Sequence, residues 1–162
     1  MKKTIVVYGS STGTCEAIAQ KIANKLGVEC INVADLSADI VADAENLLLG
    51  TSTWGAGELQ DDWYDGIDVL KSADLSGKTV ALFGCGDAES YPDTFCGAMG
   101  EIYNAVCDKA TVVGGVSTDG YTFDDSDAVQ NGQFVGLALD DVNESDKTEA
   151  RIDAWIASLP LE

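Results

Sequence analysis

Between Tyr8 and Glu16 the chain reads Gly9-Ser10-Ser11-Thr12-Gly13-Thr14-Cys15, a stretch of hydroxyl groups and glycines with no lysine or arginine. It joins an apolar run to the start of an amphipathic one. At such a junction free backbone N–H groups and the helix dipole favour an anion. Ser10, Ser11, Thr12 and Thr14 add hydroxyl donors, and Gly13 lets the backbone curl. A Walker loop needs Gly-Lys-Ser/Thr and a dinucleotide fold needs G-x-G-x-x-G; neither occurs here. Neutral donors suit a lone phosphate monoester better than a triphosphate with its magnesium. The same residues also fit a plain N-cap in a polar turn.

Two further stretches combine aromatic rings with glycines. Thr51-Ser52-Thr53-Trp54-Gly55-Ala56-Gly57-Glu58 places a tryptophan just past an apolar run and follows it with two glycines. The indole can stack on a flat aromatic ligand, or fold over a sheet edge. The third stretch runs from Gly84 through Cys85, Gly86 and Asp87 to Tyr91, Phe95 and Cys96. It offers backbone donors, a carboxylate and a tyrosine. Tyr91 can face the same ligand from its other side, or lie half-buried in a helix-capping loop. One stretch fit for a phosphate and two fit for stacking describe a flat mononucleotide held at both ends. Trp63 and Trp155 fit helix-face packing instead.

The elements that must carry these stretches alternate between strand and helix. Residues 3–8 predict a central strand, and 15–26 a helix with Ile18, Ala19, Ile22, Ala23 and Leu26 on one face. Residues 28–33 predict a more polar edge strand, and 37–44 a short acidic helix. The third strand is expected at 46–50, a helix at 63–72, the fourth strand at 78–84 and a helix at 95–107. The fifth strand looks split: 111–116 is strand-like, 117–133 is polar and resists assignment, and 134–139 resumes. Residues 147–158 predict a closing helix. The pattern implies a single-domain α/β fold over 1–162, a doubly wound five-stranded parallel sheet in order 2-1-3-4-5. Its switch point lies between strands 1 and 3, so ligands are expected at the loops after strands 1, 3 and 4.

Composition narrows the function. The chain has 162 residues and is 46% hydrophobic, enough for one core. Its apolar runs are far too short to span a membrane. Met1-Lys2-Lys3 leads straight into the first strand without the apolar stretch of a secretory signal, so a cytoplasmic location is expected. Five cysteines without a C-x-x-C spacing, and no histidine, argue against a disulfide framework, a zinc site or an iron–sulfur cluster. A formal charge of −19 repels nucleic acid and anionic membranes. It serves solubility, steering toward basic proteins, or both. A receiver domain would need an acidic pair where Gly9-Ser10-Ser11 stands.

Along nearly its whole length the chain resembles the long-chain flavodoxins. Residues 10–15 resemble the family's T/S-x-T-G-x-T. Thr53-Trp54-Gly55, and Gly86-Asp87 followed by Tyr91, resemble its two isoalloxazine loops. Residues 117–121 through 134–140 are similar to the insertion that splits strand 5. The resemblance implies FMN as cofactor, with no catalytic residue and no metal. Ser10, Ser11, Thr12, Gly13, Thr14 and Cys15 would bind the phosphate, and Trp54 and Tyr91 would sandwich the ring. Backbone groups of Gly55, Gly57, Cys85, Gly86 and Asp87 would meet the flavin's polar edge. Ser52, Thr53, Ala56, Phe95 and Cys96 complete the expected cofactor-binding set.

The family's final threonine is Cys15 here. A hydroxyl donor to the phosphate would thus become a weak thiol donor, and Cys15→Thr would be expected to tighten FMN binding.

The function implied is low-potential one-electron transfer, mainly between semiquinone and hydroquinone, without substrate turnover. Gly55 would turn its carbonyl to flavin N5. Glu58, Asp61, Asp62, Asp87, Glu89, Asp93, Asp140 and Asp141 would oppose the anionic hydroquinone. A unit charge ~8 Å away at an effective ε of ~20 costs about 2 kcal/mol, roughly 90 mV for one electron. The alternative, an FMN-dependent quinone or nitro reductase, needs space over the flavin that Trp54 and Tyr91 would fill. The partners implied are redox proteins with basic docking surfaces, such as a flavodoxin/ferredoxin reductase and low-potential oxidoreductases. No nucleic acid and no membrane are expected, and the protein is expected to be a monomer.

Overall fold

Every residue of β1 (Thr4–Gly9) is buried, as in a strand covered on both faces, which reads as a continuous apolar run rather than an alternating one. The computed structural model describes residues 3–9, 14–54, 58–59, 63–86, 96–118, 121, 126, 128–130, 132–140 and 145–159, with backbone alone at 14, 52–54 and 58–59.

β1 pairs in parallel with β2 (Glu29–Asn32) on one side and β3 (Asn46–Trp54) on the other. β3 pairs in parallel with β5 (Thr79–Cys85). The fifth place in the sheet is shared. β6 (Thr111–Val113) lies along the first half of β5, and β10 (Leu137–Leu139) along the second half. The order is therefore 2-1-3-4-5 with a split last strand, as expected from the sequence.

Side chains alternate between two cores. Ile5, Val7, Leu47, Leu49, Val80 and Leu82 face α3 (Trp63–Ser72) and α4 (Gly97–Val106). Val6, Tyr8, Leu48, Ala81 and Phe83 face α1 (Thr14–Leu26) and α5 (Ser145–Ser158). Helix α1 buries Ile18, Ala19, Ile22 and Ala23 on one stripe. It stops at Gly27, whose φ of 70° is left-handed, with the Val28 N–H bonding the Ala23 carbonyl at 3.0 Å. A short helix, α2 (Ala38–Asp43), is capped by the Ser37 hydroxyl.

Three details differ from the sequence reading. β3 continues past residue 50, because Thr51 and Ser52 keep pairing with Gly84 and Cys85. It then meets a two-residue strand, β4 (Glu58–Leu59), which runs back antiparallel, Thr53 against Leu59 and Trp54 against Glu58. The polar insertion contains a small antiparallel sheet of β7 (Val116–Ser117), β9 (Gln133–Phe134) and β8 (Val129–Gln130).

Candidate functional site

The register sets the roots of the three singled-out stretches side by side. Gly9 at the end of β1 pairs with Thr51, and Thr51 pairs with Gly84 near the end of β5. From that one edge leave residues 10–13, which end at the start of α1; residues 55–57, which link β3 to β4; and residues 87–95, which lead to α4. Ser10, Ser11, Thr12, Gly13, Gly55, Ala56, Gly57, Asp87, Tyr91 and Phe95 lie outside the described residues. So do Asp61, Asp62, Glu89, Asp93 and Asp141. Thr14 opens α1, Ser52, Thr53 and Trp54 close β3, and Cys85 closes β5. Gly86 follows, its N–H donating to the Leu139 carbonyl at 3.0 Å. Cys96 is the N-cap of α4.

Cys15 lies in the first turn of α1. Its side chain has 0% exposure and packs in the core with Ile18, Ala19 and Cys85. A hydrogen bond to Cys85, and then burial, hold its thiol well above the ordinary value of 9.0. The thiol is turned into the core rather than left open at the loop. In the first turn of α1, Cys15 can also offer an anion its backbone N–H.

Tyr8 is a residue the sequence reading passed over. Its hydroxyl donates to Glu16 Oε1 at 3.1 Å, tying the acidic side chain of α1's first turn to β1. Burial, and then this bond, raise the Tyr8 pKa above 10.0. The eight-residue spacing of Tyr8 and Glu16 across a strand–loop–helix junction was the available signal.

Trp63 and Trp155 are packing residues, as expected. Both are buried. Their indole N–H groups donate to the carbonyls of Gly50 at 2.7 Å and Gly114 at 2.8 Å. Among the described residues no group of His, Cys, Asp and Glu is placed to hold a metal ion, and no helix is long and apolar enough to cross a membrane.

A parallel sheet wound 2-1-3-4-5, with Gly9, Thr51 and Gly84 side by side near its switch point, defines a doubly wound α/β protein of the flavodoxin-like class. The family model "Flavodoxin" matches residues 6–155, and the chain belongs to that family. It is 42% identical over 170 residues to Flavodoxin 1 of Azotobacter vinelandii, covering 100% of this chain and 98% of that one. It is 42% identical to a flavodoxin of Nostoc, covering 99% and 97%. The crystal structure of Fusobacterium nucleatum flavodoxin bound to flavin mononucleotide superposes with a TM-score of 0.90 at 35% identity, covering 97% and 96%.

Proposed function

We propose that the chain is an electron carrier that holds one FMN at the carboxyl edge of its sheet and passes electrons singly between larger redox proteins. The observation that carries this reading is the adjacency of Gly9, Thr51 and Gly84, which roots a phosphate-type loop and two aromatic-bearing loops at one edge. The Fusobacterium nucleatum flavodoxin with the same fold was solved with flavin mononucleotide bound.

The donor set suits that cofactor. Helix α1 presents its first-turn N–H groups where residues 10–13 arrive. Within this reading the hydroxyls of Ser10, Ser11, Thr12 and Thr14, with the N–H groups up to Cys15, hold the phosphate. Trp54 and Tyr91 cover the two faces of the ring. Backbone groups of Gly55, Gly57, Cys85, Gly86 and Asp87 meet its polar edge, and Ser52, Thr53, Ala56, Phe95 and Cys96 complete the wall. When bound, FMN supplies the redox chemistry. The protein excludes water from the ring and surrounds it with carboxylates, which oppose added negative charge. An enzyme of the quinone- or nitro-reductase type is not favoured, since the matched relatives are flavodoxins.

The same reading makes the chain one domain over 1–162, a cytoplasmic monomer. Its partners present basic docking surfaces, as a flavodoxin/ferredoxin reductase and low-potential oxidoreductases would. The test is the visible spectrum of the protein as purified, with titration of the apoprotein by FMN. Yellow protein that binds one FMN per chain supports the reading, and protein that binds none overturns it. Rapid NADH oxidation by the purified holoprotein alone would restore the enzyme alternative.

A further inference from the structure

Among the described residues Tyr64 is the one exposed large hydrophobic side chain, at 51% exposure. It is the second residue of α3. Trp63 before it is buried, and its indole N–H donates to the Gly50 carbonyl at 2.7 Å. Gly50 immediately precedes Thr51, the position flanked by Gly9 and Gly84. The start of α3 is therefore fixed beside the carboxyl edge of the sheet, and Tyr64 is displayed outward from that anchor.

A cleft of about 290 Å³ runs from Tyr64 along the seam between α3 and α4. Tyr64, Ile67, Asp68 and Lys71 line it from α3, where they share a face at helical spacing. Glu101 and Ala105 line it from α4. Among the described residues no ion pair or hydrogen bond engages the side chains of Tyr64, Asp68 or Glu101. The fold thus sets a ring and two carboxylates around a hollow without using their polar groups for its own cohesion.

A ring beside carboxylates is complementary to a guanidinium. Arginine lays its planar group on an aromatic face and sends N–H donors sideways to carboxylate oxygens, whereas lysine offers a point charge. The molecule already contains one such stack, with the Arg151 guanidinium 4.0 Å from the centre of the Tyr121 ring. The volume of the cleft lies below the range of about 300–1,000 Å³ for small-molecule pockets, which suits a protruding side chain better than a whole ligand. A second copy of this chain is a poor occupant, because each copy carries a formal charge of −19. Lys71 closes the α3 end of the cleft with like charge, so the guanidinium belongs toward Tyr64 and Asp68.

We propose that the cleft between α3 and α4, headed by Tyr64, receives an arginine side chain of a basic redox partner. The proposal rests on the electron-carrier reading above and adds the chemistry of one contact to it. Tyrosine and arginine are over-represented among the contacts that dominate protein binding. Such a short-range contact acts on dissociation, whereas the surplus charge of the molecule acts at a distance on association.

The test uses the FMN holoprotein, with a flavodoxin/ferredoxin reductase of basic docking face as the probe. Stopped flow gives association and dissociation rates at about 0.1 M salt. Flavin content and urea midpoint check that each variant is folded. Tyr64→Ala should speed dissociation by roughly tenfold and leave association within about twofold, because it removes no charge. Tyr64→Phe keeps the ring and should match the parent. Asp68→Asn combined with Glu101→Gln should also speed dissociation. Glu29→Gln removes a charge at the amino end of the edge strand β2 and should leave dissociation unchanged. A double-mutant cycle pairing Tyr64→Ala with Arg→Ala at each arginine of the reductase's docking face should show a coupling of about threefold or more at one of them. Dissociation of Tyr64→Ala at the parent's rate, or the absence of any arginine that couples to Tyr64, overturns the proposal while leaving the electron-carrier reading in place. A parent holoprotein that takes no electrons from the reductase overturns that reading, and this inference with it.

Discussion

Cys15, Cys85 and Cys96 are buried side chains near the proposed cofactor edge, and Cys30 is half-buried on β2. Burial, and then the Glu16 charge, push Cys30 up to about 11, while Cys15 and Cys96 lie well above 9.0. A thiol whose native pKa is raised keeps its proton in the folded chain when the unfolded chain has lost it. Its contribution to stability is complete below about pH 9 and disappears as pH climbs through the native value. The urea midpoint should therefore hold steady from about pH 7 to 8.5 and fall between about pH 9 and 11. Cys30→Ser should make that fall shallower. A midpoint that is flat to pH 10.5 would show that these thiols ionise as freely folded as unfolded. Alkylation gives a second check. At neutral pH a thiol reagent followed by mass spectrometry should mark Cys107 first, and should reach Cys15, Cys85 and Cys96 only once the chain is unfolded.

Two helices end on lysines rather than on glycines. Lys109 Nζ donates to the carbonyls of Leu70, Lys71 and Ala73 at the end of α3, with 3.2 Å to Leu70 and 3.1 Å to Ala73. Lys78 Nζ donates to Ala42 at 3.2 Å and Ala44 at 2.5 Å, at the end of α2. A cation at a helix C-terminus meets both the dipole and carbonyls without intrahelical partners. Lys109→Met keeps the aliphatic stem and removes the charge, so it should cost about 1–2 kcal/mol in urea unfolding. FMN affinity should be unchanged, since the contacts lie at the far end of α3 from β4; a loss of affinity without a loss of stability would contradict this. Neither clamp was legible in the sequence, because Lys109 reaches residues 36–39 positions away. The central strands and the buried stripe of α1 were legible, since apolar runs and 3.6-residue spacing report local burial directly. β3 was read too short because Thr51, Ser52 and Thr53 are polar, yet the backbones of Thr51 and Ser52 still pair with Gly84 and Cys85. In the insertion the Asn131-Gly132 pair between Gln130 and Gln133 was an available hairpin signal. The structure pairs those two glutamines across it with Gly132 at φ 80°. The strand ends that root the three candidate stretches were legible as apolar runs, whereas the burial of Cys15 on α1 depends on Cys85, which lies far along the chain on β5.

At the scale of the whole molecule, 28 acidic residues face 9 basic ones, and several of the basic groups are already engaged. Lys21 and Lys25 pair with Glu149, and Lys25 also with Asp153, binding α1 to α5. Lys3 pairs with Asp43, Lys78 and Lys109 cap helices, and the Arg151 guanidinium sits 4.0 Å from the centre of the Tyr121 ring. The lysine–carboxylate pairs lie at the surface and each contributes little to stability. Their effect on the outer field is larger, because positive groups tied to local partners leave the surplus of carboxylates to dominate at a distance. A redox partner with a basic docking surface would then be drawn in before contact, and the benefit would appear in the association rate more than in the lifetime of the complex. Screening fixes the range, with a Debye length of about 30 Å at 0.01 M salt and about 10 Å at 0.1 M. Electron transfer from a basic reductase, followed by stopped flow at protein concentrations where encounter limits the rate, should slow by about tenfold or more from 0.01 M to 0.3 M salt. The first-order rate within the preformed complex should change little over the same range. A second-order rate that stays level with salt would mean that the surplus charge serves solubility alone. Recognition would then rest on short-range contacts around the flavin edge.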